Sequence, residues 1–149
     1  QPWMNCHFDF ERRNLMVDSN HEIAVIDFQD LCIGPVGIDL AGIIVDHYIS
    51  YSDELINDAL KNYIESSQLD VSVKDVFEWL RWGGVQRNMR ILGTLSNLYI
   101  QDNRTFRLKD LPGILENLIF LIPNDEFMSL KEHLSSIVMP KLHEELKAL

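Results

Sequence analysis

The spacing of apolar residues changes near Val36, and the change divides the chain into a short extended part and a long helical part. The two runs that flank the turn residues Asp18-Ser19-Asn20, at 14–17 and 22–26, predict a β-hairpin. An apolar run over Trp3–Phe8 predicts a buried strand before it. From Val36 onward apolar residues recur at helical spacing, so we expect the rest of the chain to be helical.

Capping and turn residues divide the helical part into five or six predicted helices. Ser72, with Asp75 three residues later, forms a capping-box pattern, and Pro112 fits the first turn of a helix. The predicted ranges are about 36–48, 53–65, 72–99, 110–122, 125–135 and 140–148. The predicted fold class is therefore α+β, mostly α, in one domain spanning residues 1–149.

Composition and charge restrict the function further. Net charge is −10, from 23 acidic and 13 basic residues, which argues against a nucleic-acid-binding surface. The two cysteines form no CxxC motif and fit a reducing cytoplasm, and no apolar run approaches the ~20 residues of a membrane span. Because the chain begins Gln-Pro-Trp, without Met or a signal-peptide pattern, we expect it to be part of a longer chain.

Three polar residues follow the extended runs in the layout of a phosphate-transfer site. Asp9 ends the first apolar run, Asn14 follows five residues later, and Asp27 ends the run 23–26. A base, an amide ligand and a metal-binding carboxylate are the parts that phosphoryl transfer requires, and Mg²⁺ prefers such hard oxygen donors. The alternative for each is structural: Asp9 and Asn14 as turn residues, and Asp27 as a strand-end cap.

The same residues carry a family resemblance. His7-Phe8-Asp9, Asn14, Ile26-Asp27-Phe28, Gly34-Pro35 and Asp39-Leu40-Ala41 together resemble the aminoglycoside phosphotransferase (choline kinase-like) family. Within it, the chain most resembles the cell-wall amino-sugar kinases, which phosphorylate the anomeric hydroxyl of N-acetylmuramate and N-acetylglucosamine. The motifs that carry this narrower resemblance are Arg13-Asn14-Leu15-Met16, Asp27-Phe28-Gln29-Asp30, Gly34-Pro35, Gln86-Arg87 and Leu92-Gly93.

The resemblance implies a fold, cofactors and residue roles. The fold is that of a protein-kinase-like C-terminal lobe, and the cofactors are ATP and Mg²⁺. Asp9 is the catalytic base, Asn14 and Asp27 bind magnesium, and His7 and Asp39 stabilise the catalytic loop. Since the family has two lobes and this chain matches only the C-terminal one, we expect the N-terminal nucleotide-binding lobe to be missing.

Four further residues are candidates for contacting phosphate or substrate. They are Arg13, Asp46, Gln86 and Arg87, although Asp46 and Arg87 also fit structural ion pairs. Glu11 departs from the family, which usually has His at that position, because a carboxylate there would repel the transferred phosphate. Neutralisation by Arg12 or Arg13 is one resolution, and it makes Arg13 the better phosphate candidate.

The sequence thus favours a cytoplasmic, ATP- and Mg²⁺-dependent kinase acting on a small-molecule hydroxyl, with an amino sugar as the best guess. The alternatives are a catalytically impaired pseudokinase that binds ligand, and a metal-dependent phosphohydrolase that uses His7, Asp9 and Asp27. The 149 residues alone are expected to be inactive, because nucleotide is clamped between two lobes. An apolar surface left by the missing lobe would also permit self-association.

Overall fold

The computed structural model describes residues 1–45, 49 and 51–149, and it is mostly helical with two small sheets. This confirms the predicted α+β class. Within these residues the strands are β1 Trp3–Cys6, β2 Leu15–Val17, β3 Ile23–Val25 and β4 Cys32–Pro35. The α-helices in the same part of the chain are α1 Gly37–Ile44, α2 Asp53–Ser67, α3 Val73–Asp102, α4 Leu111–Leu121, α5 Asn124–His133 and α6 Met139–Ala148.

The predicted hairpin is present. Strands β2 and β3 pair antiparallel, with Leu15 opposite Val25 and Val17 opposite Ile23. Asp18 closes the turn: its Oδ1 accepts the backbone N–H groups of Asn20 and Glu22, both at 2.8 Å. Such Asx bonds explain why the turn residues were a reliable local signal.

The first predicted strand has a different end and an unpredicted partner. Strand β1 stops at Cys6, because Phe8 takes a left-handed backbone conformation with φ of 65°. Strand β4, which the sequence did not predict, pairs antiparallel with β1 and places Cys6 opposite Cys32. Pro35 is tolerated because it is the last residue of its strand.

The helix starts follow their capping signals. The Ser72 and Asp75 side chains each accept the other's backbone N–H group, at 3.2 and 3.1 Å, which is the predicted capping box. Ser52 Oγ accepts the Leu55 N–H at 3.2 Å and caps α2. Helix α1 ends at Ile44, and the predicted continuation over residues 46–48 lies outside the described residues.

The chain forms two compact units, Gln1–Gly84 and Val85–Leu149. In the first, Leu60 of α2 packs with Val76 and Leu80 of α3, and α1 adds Leu40 and Ile44 to this core. Two glycines allow the helices to approach closely, because a Cβ on Gly83 would collide with the carbonyl of Gly37. Glycine inside a helix costs stability relative to alanine, and this close approach explains why glycine is nevertheless present here.

The second unit has its own core around α4, whose buried residues include Ile114, Leu115 and Leu118. The two predicted terminal helices are present as α5 and α6, but the connection between them was not predicted. A π-helical segment, Leu134–Val138, joins α5 directly to α6. Pro140 has no N–H group to donate, so the backbone passes this position with a wider turn.

Many large apolar side chains of the first unit are exposed. The most exposed positions on the strands and the loops beside them are Trp3, Met16, Val17, Ile23, Phe28, Leu31 and Ile33, between 50% and 69% exposed. We call these seven residues the apolar surface. A search of the described residues finds no helix long and apolar enough to cross a membrane.

Candidate functional site

Helix α1 holds the loop that carries Asp9. The Asp39 carboxylate accepts two successive backbone N–H groups of that loop, His7 at 2.6 Å and Phe8 at 2.9 Å. One turn along α1, Gly42 lies so close to the loop that a Cβ would collide with the Phe10 carbonyl. Asp39 thus makes the contacts that a loop-stabilising carboxylate would make, and it offsets the cost of the left-handed Phe8.

The Phe8 side chain also has a clear structural place. Its ring lies against Gly34 of β4, where any Cβ would collide with it. Phe8 therefore affects packing beneath the loop, as expected for a large residue between His7 and Asp9.

Asn14 is buried beside Asp9 and is oriented by it. Its Nδ2 donates to the Asp9 backbone carbonyl at 2.8 Å and to Asp9 Oδ2 at 3.2 Å. Because the amide nitrogen is committed to Asp9, the amide oxygen Oδ1 faces away from it and is available as a ligand.

Asp27 is brought to Asn14 by the backbone. The Ile26 N–H donates to the Asn14 carbonyl at 3.0 Å, so Asp27 follows directly after the pairing of β2 and β3. Asp27 itself has φ of 64°, and its Oδ1 accepts a hydrogen bond from Gln29 Nε2 at 2.8 Å. A second left-handed, non-glycine residue at this site is a strain that surrounding contacts must maintain.

His7 connects the two acidic segments. It is 6% exposed, and its Nε2 lies 2.9 Å from the Ile26 carbonyl oxygen. Since a carbonyl only accepts, Nε2 carries the proton. His7 thereby links the loop before Asp9 to the residue before Asp27, and it lies 6.0 Å from the Phe10 ring.

Arg13 lies between the carboxylates of Asp9 and Glu11. Its Nη2 is 2.8 Å from Asp9 Oδ2, and its Nε forms an ion pair with Glu11 Oε1. The hydrogen bond with Asp9 raises the pKa of Arg13 above its ordinary value, and the charges of Glu11 and Asp27 act in the same direction. The predicted neutralisation of Glu11 is therefore made by Arg13.

The donor chemistry fits magnesium. Asn14 Oδ1 and the Asp27 carboxylate are hard oxygen donors, and Mg²⁺ commonly takes one or two protein ligands, with phosphates and water completing its octahedron. Among residues 1–45, 49 and 51–149, no group of three or more His, Cys, Asp or Glu side chains could hold a metal by itself.

A cavity of about 630 Å³ lies within the first unit, and Asp39 and His7 are among the residues that line it. Most of its lining is apolar and includes Ile43, Phe28 and Leu31. Tyr63 lines it as well, and burial raises the pKa of Tyr63. No pattern in the sequence predicted this cavity, because its walls come from four separate segments of the chain.

The roles of the remaining candidates stay predictions. Asp46 lies outside the described residues. Gln86 is exposed and Arg87 is buried on the part of α3 that belongs to the second unit. Gln29 and Gly42 were missed; an isolated glycine in an apolar helical run was the available signal for the second of them.

The comparisons with known proteins agree with the resemblance in the motifs. A model of the phosphotransferase enzyme family matches residues 1–81, a range that holds Asp9, Asn14 and Asp27. Gln86 and Arg87 lie beyond it.

Curated relatives have one activity in their names. An N-acetylmuramate/N-acetylglucosamine kinase of Neisseria meningitidis is 30% identical over 123 residues, 79% of this chain and 36% of the relative. The kinase of that name from Pseudomonas aeruginosa is 29% identical over 123 residues, with the same two coverages. A third, from Pseudomonas putida, is 30% identical over 117 residues, 75% of this chain and 34% of the relative.

The chain thus spans about a third of the length of these relatives. The family model covers 81 of its 149 residues and includes the loop held by Asp39. The chain belongs to the phosphotransferase enzyme family.

Proposed function

We propose that this chain is the C-terminal lobe of an ATP- and Mg²⁺-dependent kinase that phosphorylates a hydroxyl group of an amino sugar. The observation that carries the proposal is the connected site: Asp39 holds the loop of Asp9, and Asn14 bonds both to Asp9 and to the segment of Asp27. Base and candidate metal ligands are thereby fixed against each other by short hydrogen bonds.

Asp9 acts as the base in this reaction. The acceptor hydroxyl donates a hydrogen bond to the Asp9 carboxylate, and its oxygen attacks the γ-phosphorus of ATP. A new oxygen–phosphorus bond forms while the bond from the γ-phosphorus to the bridging oxygen breaks. ADP leaves with that bridging oxygen, and the hydroxyl proton passes to Asp9.

The other residues hold the reacting groups in place. Asn14 Oδ1 and Asp27 would hold Mg²⁺, which, when bound, supplies positive charge to the phosphates. Asp39 and His7 fix the loop backbone, and correct placement supplies much of the rate of phosphoryl transfer.

The amino-sugar substrate class comes from the relatives, and the anomeric hydroxyl comes from the resemblance of the motifs. The relatives are named N-acetylmuramate/N-acetylglucosamine kinase, and the similarity extends over three quarters of this chain or more. We extend the substrate class to this chain on that similarity, together with a cytoplasmic location, which the supply of ATP requires.

The chain alone is proposed to be inactive. It corresponds to about a third of the length of its relatives, and phosphoryl transfer depends on positioning a nucleotide that such kinases clamp between two lobes. The apolar surface would face a second lobe or a second copy, and burying such surface is favourable by about 25 cal/mol per Å². Sedimentation at increasing concentration tests this: self-association is expected, and a monomer at all concentrations would contradict it.

Activity is tested with the full-length protein that contains these residues. It is incubated with ATP, Mg²⁺ and either N-acetylmuramate, N-acetylglucosamine, choline or an aminoglycoside, and phosphorylated products are identified by mass spectrometry. We expect a sugar 1-phosphate. Absence of transfer to every acceptor would refute the kinase proposal, and release of inorganic phosphate without an acceptor would favour a phosphohydrolase instead.

A pseudokinase is the second candidate, favoured by Glu11 and by the pairing of Arg13 with Asp9. In that case the full-length protein would bind ATP or an amino sugar in calorimetry without turning it over. Measurable transfer to an acceptor excludes this candidate.

A further inference from the structure

Three carboxylates act on the single guanidinium of Arg13. Asp9 and Glu11 contact it directly, and the charge of Asp27 is close enough to stabilise its cationic form. The Glu11 and Asp9 side chains are only 21% and 32% exposed, whereas the Arg13 side chain is 65% exposed. Two partly buried carboxylates therefore hold the guanidinium of an exposed arginine.

The two contacts fix the direction of the guanidinium. Glu11 takes Nε and Asp9 takes Nη2, so both bonds lie along one edge of the planar group. The Nη1 group is directed away from both acids. A long side chain that is held at two points loses less freedom when it meets a third anion.

Stability alone explains this arrangement poorly. Ion pairs to such an exposed cation contribute about 0–1 kcal/mol, because water screens them and ordering a long side chain costs entropy. A carboxylate at position 11 would repel phosphate unless a cation lies between them. Arg13 forms an ion pair with Glu11 and can supply that cation.

We propose that Glu11 is a positioning residue that holds Arg13 beside Asp9, so that Arg13 contacts an oxygen of the phosphoryl group being transferred. The proposal rests on the proposed kinase function for its catalytic part. Glu11, the residue of the motif that argued against activity, then contributes to it through Arg13. Arg13 neutralises the acids as the phosphate arrives and supplies the positive charge that position 11 lacks.

The positioning part is tested on the 149-residue chain without any activity assay. The ¹⁵N signal of the Arg13 Nε–H group is assigned by its disappearance in Arg13→Lys. In Glu11→Gln we expect this Nε–H to exchange with water several-fold faster, whereas the control Glu22→Gln, an exposed acid of the hairpin, leaves it unchanged. An unchanged exchange rate in Glu11→Gln would overturn the proposal, whether or not the protein is a kinase.

The catalytic part is tested in the full-length protein. Arg13→Gln should lower kcat about 100-fold, as expected for loss of one charge-stabilising donor, while Glu11→Gln should lower kcat about 10-fold, because a slight misplacement weakens such a contact. The KM for the sugar should change less than about twofold in both. Equal kcat in wild type and Glu11→Gln, with both proteins folded, would overturn the proposal.

A charge interchange separates positioning from loop stability. Glu11→Arg combined with Arg13→Glu keeps the ion pair and returns a cation to position 11, so kcat should recover at least several-fold over Arg13→Gln. Recovery of thermal stability without recovery of kcat would show a purely structural pair and overturn the proposal. If the wild-type protein is inactive but the Arg13 Nε–H exchanges faster in Glu11→Gln, as expected, only the kinase function is refuted.

Discussion

The removal of one hydrogen-bond acceptor from Asp39 is expected to loosen the loop that carries Asp9. The carboxylate accepts the His7 and Phe8 N–H groups at 2.6 and 2.9 Å. In Asp39→Asn one oxygen becomes an NH₂ group, which faces a backbone donor and loses that bond. Hydrogen bonds to a charged group contribute about 1.5–3 kcal/mol each, so Asn should cost about 1.5–3 kcal/mol and Ala up to about 6 kcal/mol.

Two measurements check this magnitude. In a protein of this size 1 kcal/mol shifts Tm by roughly 2–4 °C, so Asp39→Asn should lower Tm by roughly 3–12 °C. Hydrogen exchange should show the loss locally, at the amides of His7 and Phe8, before it shows elsewhere in the first unit.

The matched control is Asp58→Asn. Asp58 is also a helical aspartate, but it is 59% exposed and lies 3.5 Å from Lys61. Its substitution should change stability by less than about 0.5 kcal/mol. If Asp39→Asn changed Tm and the hydrogen exchange of the His7 and Phe8 amides no more than Asp58→Asn does, the conclusion that Asp39 holds this loop would be refuted.

Three other predictions use different parts of the first unit and α3. Gly83→Ala should destabilise the protein by about 1–3 kcal/mol because its Cβ meets the α1 backbone, whereas Gly93→Ala, with nothing within 4 Å, should stabilise it by up to about 1 kcal/mol. Urea unfolding of both variants tests the close approach of the two helices, and equal effects would contradict it. Hydrogen bonds from Ser72 lower the pKa of Asp75, so the stability that this cap contributes is present above the pKa of Asp75 in the unfolded chain and is lost as pH falls through its pKa in the folded chain. Ser72→Ala should raise the pKa of Asp75 toward its ordinary value in a carboxyl NMR titration, and an unchanged pKa would disprove the capping box. Burial raises the pKa of Cys6, which is 0% exposed, whereas its cross-strand neighbour Cys32 is exposed. Iodoacetamide near neutral pH should therefore modify Cys32 first, and faster labelling of Cys6 would contradict the packing of β1 against β4.

Local signals in the sequence predicted the elements that local contacts form. The hairpin around Asp18, the N-cap of α2 and the capping box of α3 depend on residues fewer than five positions apart. Strand β4 depends on β1, whose paired residues lie 26 to 32 positions earlier in the chain. Pairing between distant segments leaves no periodic pattern in either one.

The candidate site divides in the same way. The order of Asp9, Asn14 and Asp27 pointed to phosphate chemistry, and their connections follow the predicted hairpin. The position of Arg13 between two acids follows from side-chain rotamers and from burial of Glu11, which a sequence does not contain. The placement of Gln86 and Arg87 toward any substrate remains a prediction.

Transfer of phosphate by the Asp9→Asn variant tests the central claim most directly. The full-length protein, Asp9→Asn and the control Asp58→Asn are compared with γ-labelled ATP, Mg²⁺ and N-acetylmuramate. Asn has the shape of Asp but cannot take the hydroxyl proton, so loss of the general base should lower kcat about 10²–10⁴-fold in Asp9→Asn. The Tm of this variant should stay close to that of the wild type, and the control Asp58→Asn should be fully active. Labelled sugar formed by Asp9→Asn at the wild-type rate would contradict the account.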